Sequence, residues 1–232
     1  MELILFDDFL QLLESSGGDY TNCFRCLSLV SLTGSSETVV DQLVSNFSSC
    51  ERMQNKLKYF LDENGLNLLF NREIEDLMSL YESQPDILQD MKKNQKILQE
   101  IREMTPGSKS KNDKIKCTKW MKEYVKRLHV DARGFANVKT YNKKRFDLMN
   151  STNPKFVLRN YLAQNAIHSA ENGDYSEVKN LLKIVENPFS DEIDNTIEIS
   201  GFSLLNTPTS SKSTNPKYDD LPPDWADDLK VT

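Results

Sequence analysis

The sequence predicts a mainly α-helical protein. Three observations support this: only eight glycines occur in 232 residues, runs typical of β-strands are few, and apolar residues recur at helical spacing along most of the chain. Apolar residues make up 38% and the mean hydropathy is −0.57, so a sizeable part of the chain is expected to be exposed or disordered. The length suits one domain, or a small domain with tails.

Amphipathic segments follow one another through residues 1–104. Their periodicity predicts helices over residues 2–14, 19–32, 36–47, 52–61, 66–81 and 86–104. Pro85 suits the first turn of the last helix. Gly17 and Gly18 form a glycine pair that lies between two predicted helices and does not follow a strand, so a phosphate-binding loop is not expected there. Residues 1–104 are therefore predicted to form one helical region.

Residues 105–116, TPGSKSKNDKIK, are predicted to form a basic polar loop. A solvated insertion accounts for this composition; the alternative is a patch for nucleic acid or a membrane surface, which the short run and Asp113 disfavour. A second helical region is expected over residues 117–190, with a helix over 138–149. In it, Trp120, Tyr124 and Leu128 have the i, i+4, i+8 spacing of core residues, which is more typical of packing than of base stacking.

Residues 153–182, NPKFVLRNYLAQNAIHSAENGDYSEVKNLL, carry the signals of a capped helix pair. Asn153 and Pro154 have the order of a cap and a first turn, and Gly173 suits the end of that helix. Asp174 and Glu177 have capping-box spacing for the second helix. Its predicted packing positions, at i, i+3, i+4 and i+7, are Val178, Leu181, Leu182 and Val185.

Arg159 falls within the predicted apolar face of the first helix of this pair. The apolar members of that face are Phe156, Leu158, Leu162, Ala163, Ala166, Ile167 and Ala170. Because an unpaired buried guanidinium is costly, Arg159 is predicted to form an ion pair that ties the helix to a neighbour. A phosphate- or partner-binding role for Arg159 is the alternative.

Cys23 and Cys26 have C-x-x-C spacing, which is compatible with zinc or redox chemistry. The chain has no second C-x-x-C, and only two histidines, His129 and His168, so reduced cysteines packed on one helix face are the favoured interpretation. The net charge of −6 argues against a general nucleic-acid binder. No apolar run reaches the roughly 18 residues of a membrane span, and the first residues lack the basic start of a signal peptide.

Three stretches resemble, in the same order, the C-terminal region of the selenoprotein O family. They are DYTNCFR at 19–25, NPKFVLRNYLAQNAI at 153–167 and PPDWADDLKVT at 222–232. The second is long and specific, and the first is moderately specific. The resemblance implies a multi-helix C-terminal portion of a protein-kinase-like (pseudokinase) fold. The tail over 191–232 is predicted to be flexible, because residues 191–218 are rich in Ser, Thr, Asn and Asp, and residues 222–225 are predicted to be an extended element that could dock Trp225 on the body. The resemblance also implies that a selenocysteine or a cysteine follows Thr232. A selenocysteine at that position would be encoded by a UGA codon.

Members of this family are protein adenylyltransferases, so the resemblance implies transfer of AMP from ATP, with Mg²⁺, to Ser, Thr or Tyr of protein substrates. The sequence has no G-x-G-x-x-G, H-R-D or D-F-G, so the ATP and metal ligands are expected outside this chain. No catalytic, cofactor-binding or metal-binding residue is assigned, and no cofactor is expected for the chain alone.

The missing catalytic lobe is the expected packing partner. The resemblance places the protein in the mitochondrion, whereas a chain expressed as written, without a presequence, is expected in the cytoplasm. The alternatives are a non-catalytic helical interaction module and an incomplete gene model. An ankyrin module is disfavoured, because the repeat of about 33 residues that such modules need is missing.

Overall fold

The structure, a computed structural model, describes residues 2–63, 85–191 and 218–229. It is mainly helical, as predicted. The α-helices of these ranges are α1 Glu2–Ser16, α2 Tyr20–Leu27, α3 Glu37–Ser45, α4 Cys50–Glu63, α5 Pro85–Glu103, α6 Pro106–Asp131, α7 Val138–Thr152, α8 Asn160–Glu171 and α9 Ser176–Glu186. Short 3-10 turns lie at Ala132–Gly134 and Asp224–Asp228. The predicted helix over 66–81 lies outside the described residues.

A first core forms around the long helix α6, which packs against α1, α3 and α4. Phe9 and Met121 lie at its centre, each 1% exposed. The Trp120 ring stacks between Phe9 and Tyr124, at centroid distances of 4.3 and 4.9 Å. Together with the buried Leu128, these contacts confirm the predicted core positions on α6. In the described ranges, no helix is both long and apolar enough to cross a membrane.

The predicted loop over 105–116 is wrong, because these residues open α6. The Thr105 hydroxyl accepts the N–H of Ser108 at 3.2 Å, and the Ser108 hydroxyl accepts the N–H of Thr105 at 3.0 Å. This capping box satisfies two N–H groups at the helix end, and Pro106 stands where a missing N–H costs nothing. The Pro-Gly-Ser sequence is therefore a helix start.

A buried ion pair fixes the next turn of α6. The Lys109 ammonium lies 2.5 Å from Asp113, at i, i+4, and both side chains are less than a tenth exposed. The ammonium also donates to the carbonyl of Ser16 at 3.1 Å, and the Ser16 hydroxyl donates to Asp113 at 2.9 Å. Two charges of the predicted solvated loop are thus part of the contact between α6 and the end of α1.

The turn between α1 and α2 packs closely against the turn between α3 and α4. Gly17 has a φ of +65°, and a Cβ there would lie 2.7 Å from the Ser48 hydroxyl. The carbonyl of Gly17 accepts the N–H and the hydroxyl of Ser48, at 2.9 and 2.8 Å. Gly18 forms an antiparallel bridge with Phe47. The glycine pair is therefore a turn between helices, as its position predicted.

A second core lies between α8, α9 and the C-terminal residues 218–229. Its buried members are Phe156, Tyr161, Leu162, Ala166, Leu181, Ile184 and Tyr218. Gly173, with a φ of +85°, follows α8 and confirms the predicted end of that helix. The two helices form an antiparallel hairpin against which Trp225, Ala226 and Leu229 pack.

The start of α8 differs from the prediction. Asn153 ends α7, the chain up to Arg159 is not helical, and α8 begins at Asn160. The N–H groups of Lys155 and Phe156 donate to the carbonyl of Pro188, at 2.7 and 3.1 Å. These hydrogen bonds to the residue after the end of α9 keep the segment before α8 from forming a helix. Phe156 therefore enters the core from a non-helical segment.

The start of α9 differs as well. Asp174 accepts the N–H of Ser176 at 2.9 Å, but Glu177 is buried and does not complete a capping box. Of the predicted packing positions, Leu181 is buried, whereas Val178 and Leu182 are 42% and 56% exposed. The buried face of α9 is therefore shifted relative to the predicted one, and Glu177 and Asn180 lie on it with Leu181 and Ile184.

Candidate functional site

The first two motif stretches meet at α2, and the third approaches them through Asp219, which precedes it, and through Trp225, which contacts Tyr161. We call this region the motif junction and define it by Asp19, Asn22, Arg25, Arg159 and Asp219. The first three lie at i, i+3 and i+6, at and after the start of α2, so they project to neighbouring sides of one helix. From there they contact the segment before α8, the ends of α7 and α9, and the C-terminal residues.

Asp19 links the start of α2 to Arg159. One carboxylate oxygen accepts the N–H of Asn22 at 2.9 Å and caps the helix. The guanidinium of Arg159 binds both oxygens, at 2.5 and 3.2 Å, and each side chain of the pair is only 12% exposed. The predicted structural ion pair of Arg159 is confirmed. Arg159 forms it from the position before α8 and not from a helix face.

Arg25 joins α2 to two other helix ends. Its guanidinium donates to the carbonyls of Asn150 and Asn153, both at 2.7 Å, and to the carbonyl of Phe189 at 3.2 Å. It also forms an ion pair with Asp191 at 2.8 Å. Carbonyls at the end of α7 have no helical partner, and Arg25 satisfies two of them.

The C-terminal residues are held by side chains of α2 and α4. The amide of Asn22 donates to the carbonyl of Asp219 at 2.9 Å. Arg52 binds both carboxylate oxygens of Asp227, at 2.8 and 2.7 Å, and also donates to the carbonyl of Pro222. Residues 218–229 of the predicted flexible tail are thus docked on the helical body. We call them the docked tail.

Two aromatic side chains complete the docked tail. Tyr218 is 4% exposed and donates to the Glu177 carboxylate at 3.2 Å, and the ring of Trp225 meets Tyr161 edge-on at 6.2 Å. Burial raises the pKa of Glu177, although hydrogen bonds from Tyr218 and Asn180 oppose the shift. The pKa of Tyr218 is raised by burial and by the neighbouring carboxylate. Tyr218 therefore stays neutral and donates.

The cysteines are buried, free thiols, as the packing interpretation predicted. Burial raises the pKa of Cys26 to about 11 and that of Cys117 to about 12, and the pKa of Cys23 is also raised, mainly by burial. Thiols in this state are protonated at neutral pH and are poor nucleophiles. Among the described residues, no three His, Cys, Asp or Glu side chains are grouped as metal ligands.

An open cleft of about 750 Å³ lies beside the motif junction. Arg25 and Lys155 line it, together with the carboxylates of Asp191, Asp219 and Asp220. Arg25 is already committed to four acceptors, and three carboxylates would repel a triphosphate. The residues of this cleft do not fit ATP–Mg²⁺, and we derive no catalytic step from it.

Sequence reasoning found Arg159 but missed most of the junction. Asn22 and Arg25 stand in DYTNCFR at helical spacing from Asp19, and that polar pattern was an available signal. By contrast, no local pattern marks Arg52, and the local spacing of Glu177 indicated a capping box. The partners of both residues lie in the docked tail, far away in sequence.

The chain is similar to transferases that attach nucleotides to proteins. It is 30% identical to the mitochondrial protein adenylyltransferase SelO of Mus musculus over 96% of this chain and 33% of that protein. The human protein of that name is 26% identical over 98% and 34%. The protein nucleotidyltransferase YdiU of Herminiimonas arsenicoxydans is 37% identical over 52% and 19%.

These similarities confirm the family that the motifs predicted: the chain belongs to the selenoprotein O family. It spans about a third of the length of the mammalian relatives that it matches. No family model matches the chain, and no solved structure matches it.

Proposed function

We propose that this chain is the helical C-terminal portion of a mitochondrial protein adenylyltransferase and that it packs against a kinase-like catalytic lobe. The complete protein would transfer AMP from ATP, with Mg²⁺, to Ser, Thr or Tyr hydroxyls of protein substrates. The observation that carries this proposal is the similarity of nearly the whole chain to one third of a protein adenylyltransferase. The ATP site would belong to the other two thirds.

The contacts that the motif residues make support a structural role for this C-terminal portion. Asp19, Arg25 and Arg159 make their contacts with one another and with helix ends. All three are polar residues of the family-like stretches, and most of their hydrogen-bonding groups are engaged by other groups of the chain. Residues that bind a substrate or a nucleotide need donors that remain available in a pocket.

An exposed apolar stripe on α9 is the surface that we propose for the catalytic lobe. Tyr175, the residue before α9, and Val178 and Leu182 on that helix lie at i, i+3 and i+7 and are 58%, 42% and 56% exposed. Apolar side chains aligned along a helix are typical of a covered face. About two thirds of the length of the mammalian relatives lies outside this chain, which provides an occupant for the stripe.

Calorimetric titration with ATP and Mg²⁺ tests where the nucleotide site lies. We expect no micromolar binding to the 232-residue chain and clear binding to a full-length family protein. Micromolar binding by the chain itself would show that the ATP site is not missing.

Co-expression of the chain with the remaining two thirds of a full-length relative tests the packing surface. The double change Val178→Asp and Leu182→Asp should weaken the association at least about tenfold, because it places two charges in an apolar contact. Lys92→Asp, on the exposed side of α5, changes the net charge by the same amount and is the matched control. Equal association of both variants would exclude the stripe as the packing surface without affecting the family assignment.

A further inference from the structure

The charge of this chain is distributed very unevenly. Residues 105–145 contain thirteen Lys and Arg but only three Asp and Glu, a net charge of +10 in a chain whose net charge is −6. This segment comprises α6, the 3-10 turn and the first half of α7. The proposed packing against a catalytic lobe uses none of these charges.

Helix α6 sorts these residues onto opposite sides. The buried side chains, among them Cys117, Trp120 and Met121, face α1 and α3. The opposite side is exposed and rich in lysines, with two aliphatic residues between and beyond them and with the polar Asn112 and His129. We call it the basic face: Lys111, Ile115, Lys119, Lys122, Lys126 and Val130.

Several cations of the segment are neutralised locally. Lys114 pairs with Asp41 and Arg127 with Asp131, both outside the basic face. On the face itself, Lys126 pairs with Glu123 at 2.7 Å. In the part of the chain that the structure describes, Lys111, Lys119 and Lys122 have no carboxylate within ion-pair distance. Lys119 does share a shallow cavity with Asp8 and Glu123, which reduces the positive potential at that edge.

We infer that the basic face binds the surface of an anionic phospholipid bilayer. A helix of 26 residues is about 39 Å long, and Lys111 and Lys126 are separated by about 22 Å along it. Such a convex, extended row matches a flat anionic surface, whereas an acidic peptide would need a groove. Lysine stems extend along apolar material with their ammonium groups at the headgroups.

Two further features favour a bilayer. Ile115 and Val130 are 56% and 47% exposed on the same face and can enter the headgroup boundary. The aromatic rings of α6, Trp120 and Tyr124, stack in the core instead of standing on the basic face. A surface for single-stranded nucleic acid would need such rings between its cations.

Co-sedimentation of the full chain with vesicles tests this inference. Vesicles of phosphatidylcholine with 30% phosphatidylserine should capture the chain, and vesicles of phosphatidylcholine alone should not. The triple change Lys111→Glu, Lys119→Glu and Lys122→Glu should lower partitioning about 100-fold, since each lysine contributes about 1 kcal/mol near an anionic surface. Changing Lys92, Lys93 and Lys96 on α5 to Glu alters the net charge equally and should leave most of the binding intact.

Circular dichroism shows whether both variants stay helical. A triple Lys→Arg change at 111, 119 and 122 should restore binding, because it restores the charge. The inference is overturned by equal capture on neutral and anionic vesicles, by no capture on either, or by equal losses in the two Glu variants. Stronger binding to an oligonucleotide or to polyglutamate than to the anionic vesicles would assign the face to another partner and would also overturn it.

Discussion

Asp19 serves two partners with one carboxylate. It caps α2 through the N–H of Asn22 and binds the guanidinium of Arg159, and little water reaches the pair. Removing Arg159 would leave a nearly buried negative charge whose remaining partner is a helix N-terminus. The pair should therefore be more valuable than an ion pair on the surface.

Arg159→Met is predicted to lower the free energy of unfolding by about 3 kcal/mol, the cost of leaving a buried charge unpaired. Urea unfolding monitored by circular dichroism measures the change. Lys155→Met is the matched control, because the Lys155 ammonium is exposed and contacts only a backbone carbonyl, at Asp191, and the Phe156 ring among the described residues. The double variant Asp19→Asn with Arg159→Met should be less destabilised than the sum of the two single changes. Unchanged stability of Arg159→Met would contradict the structural role.

Glu177 should make docking of the tail dependent on pH. Its pKa is raised from 4.5 in the docked state, mainly by burial, and should return towards 4.5 when the tail leaves. The docked state then binds more protons, so docking strengthens as pH falls from above the raised pKa towards 4.5. The change can reach about tenfold per pH unit for one group. Hydrogen exchange of residues 218–229 between pH 5 and 8, corrected for intrinsic rates, measures it. Glu177→Gln should remove the dependence, and an equal pH response in that variant would reject the mechanism.

Arg159 and Glu177 show which side-chain contacts can be predicted from the sequence. The position of Arg159 among apolar residues predicted that its guanidinium pairs with an acidic side chain, and this ion pair is confirmed. The sequence did not predict which acidic residue is the partner, because Asp19 is 140 positions away. Glu177 was assigned to a capping box because the local spacing fits one. The burial that changes its role comes from Tyr218, a contact that no local pattern encodes.

Among the helices, two Pro-containing segments with similar helix-start signals adopt different structures. Thr105–Pro106 opens α6, whereas Asn153–Pro154 follows α7 and precedes a non-helical segment. The local signals are nearly the same. After Pro106, the buried pair of Lys109 and Asp113 favours a continuing helix. After Pro154, the carbonyl of Pro188 takes the free N–H groups, and helix formation is delayed. Tertiary partners therefore decide between helix and extended chain.

Thr105→Ala is predicted to cost about 1 kcal/mol of stability, because it removes an N-cap. Asn153→Ala should cost less, about 0.5 kcal/mol, since its side chain caps no helix start and donates one hydrogen bond, to the Met149 carbonyl, while the carbonyl that binds Arg25 remains. Chemical denaturation of both variants gives the comparison. A larger loss of stability in Asn153→Ala than in Thr105→Ala would instead support the helix start that the sequence predicted at Asn153.

Gly17→Ala is predicted to destabilise the chain by about 2 kcal/mol. The residue has a positive φ, which costs an L-residue about 1 to 2 kcal/mol, and the new methyl group would meet Ser48. Gly34→Ala is the control, because a Cβ there meets nothing within 4 Å. Thermal unfolding should separate the two variants clearly. Similar melting temperatures would mean that the close contact of the two turns is not required.

At the scale of the whole molecule, the motif junction connects two cores. One core surrounds α6, the other lies between α8 and α9, and α2 reaches from the first to the second through Asp19 and Arg25. The sequence predicted the helical class and the order of the motifs. It did not predict that the motifs meet, because spatial proximity of segments more than 100 residues apart depends on the assembled core.

The docked tail is the part of this assembly that should be easiest to detach. It belongs to the second core through Tyr218 and is fastened to the first by Arg52, whose side chain is 12% exposed and binds Asp227 and the carbonyl of Pro222. Hydrogen bonds to a charged group contribute about 1.5 to 3 kcal/mol. Arg52→Met should therefore raise the hydrogen exchange rate of residues 218–229 about 30-fold. The exchange of α6 should not change.

Lys92→Met, on the exposed side of α5, removes a positive charge without touching the docked tail and is the matched control. Faster exchange throughout the chain in Arg52→Met would show that Arg52 stabilises the whole fold and not a separable tail. Unchanged exchange in residues 218–229 would show that the remaining contacts are sufficient for docking, namely the bond of Asn22 to Asp219, the ion pair of Lys56 with Asp227 and the apolar contacts of the tail. Because Arg52 and Glu177 bind different residues of the tail, combining Arg52→Met with a rise in pH should accelerate its exchange more than either change alone.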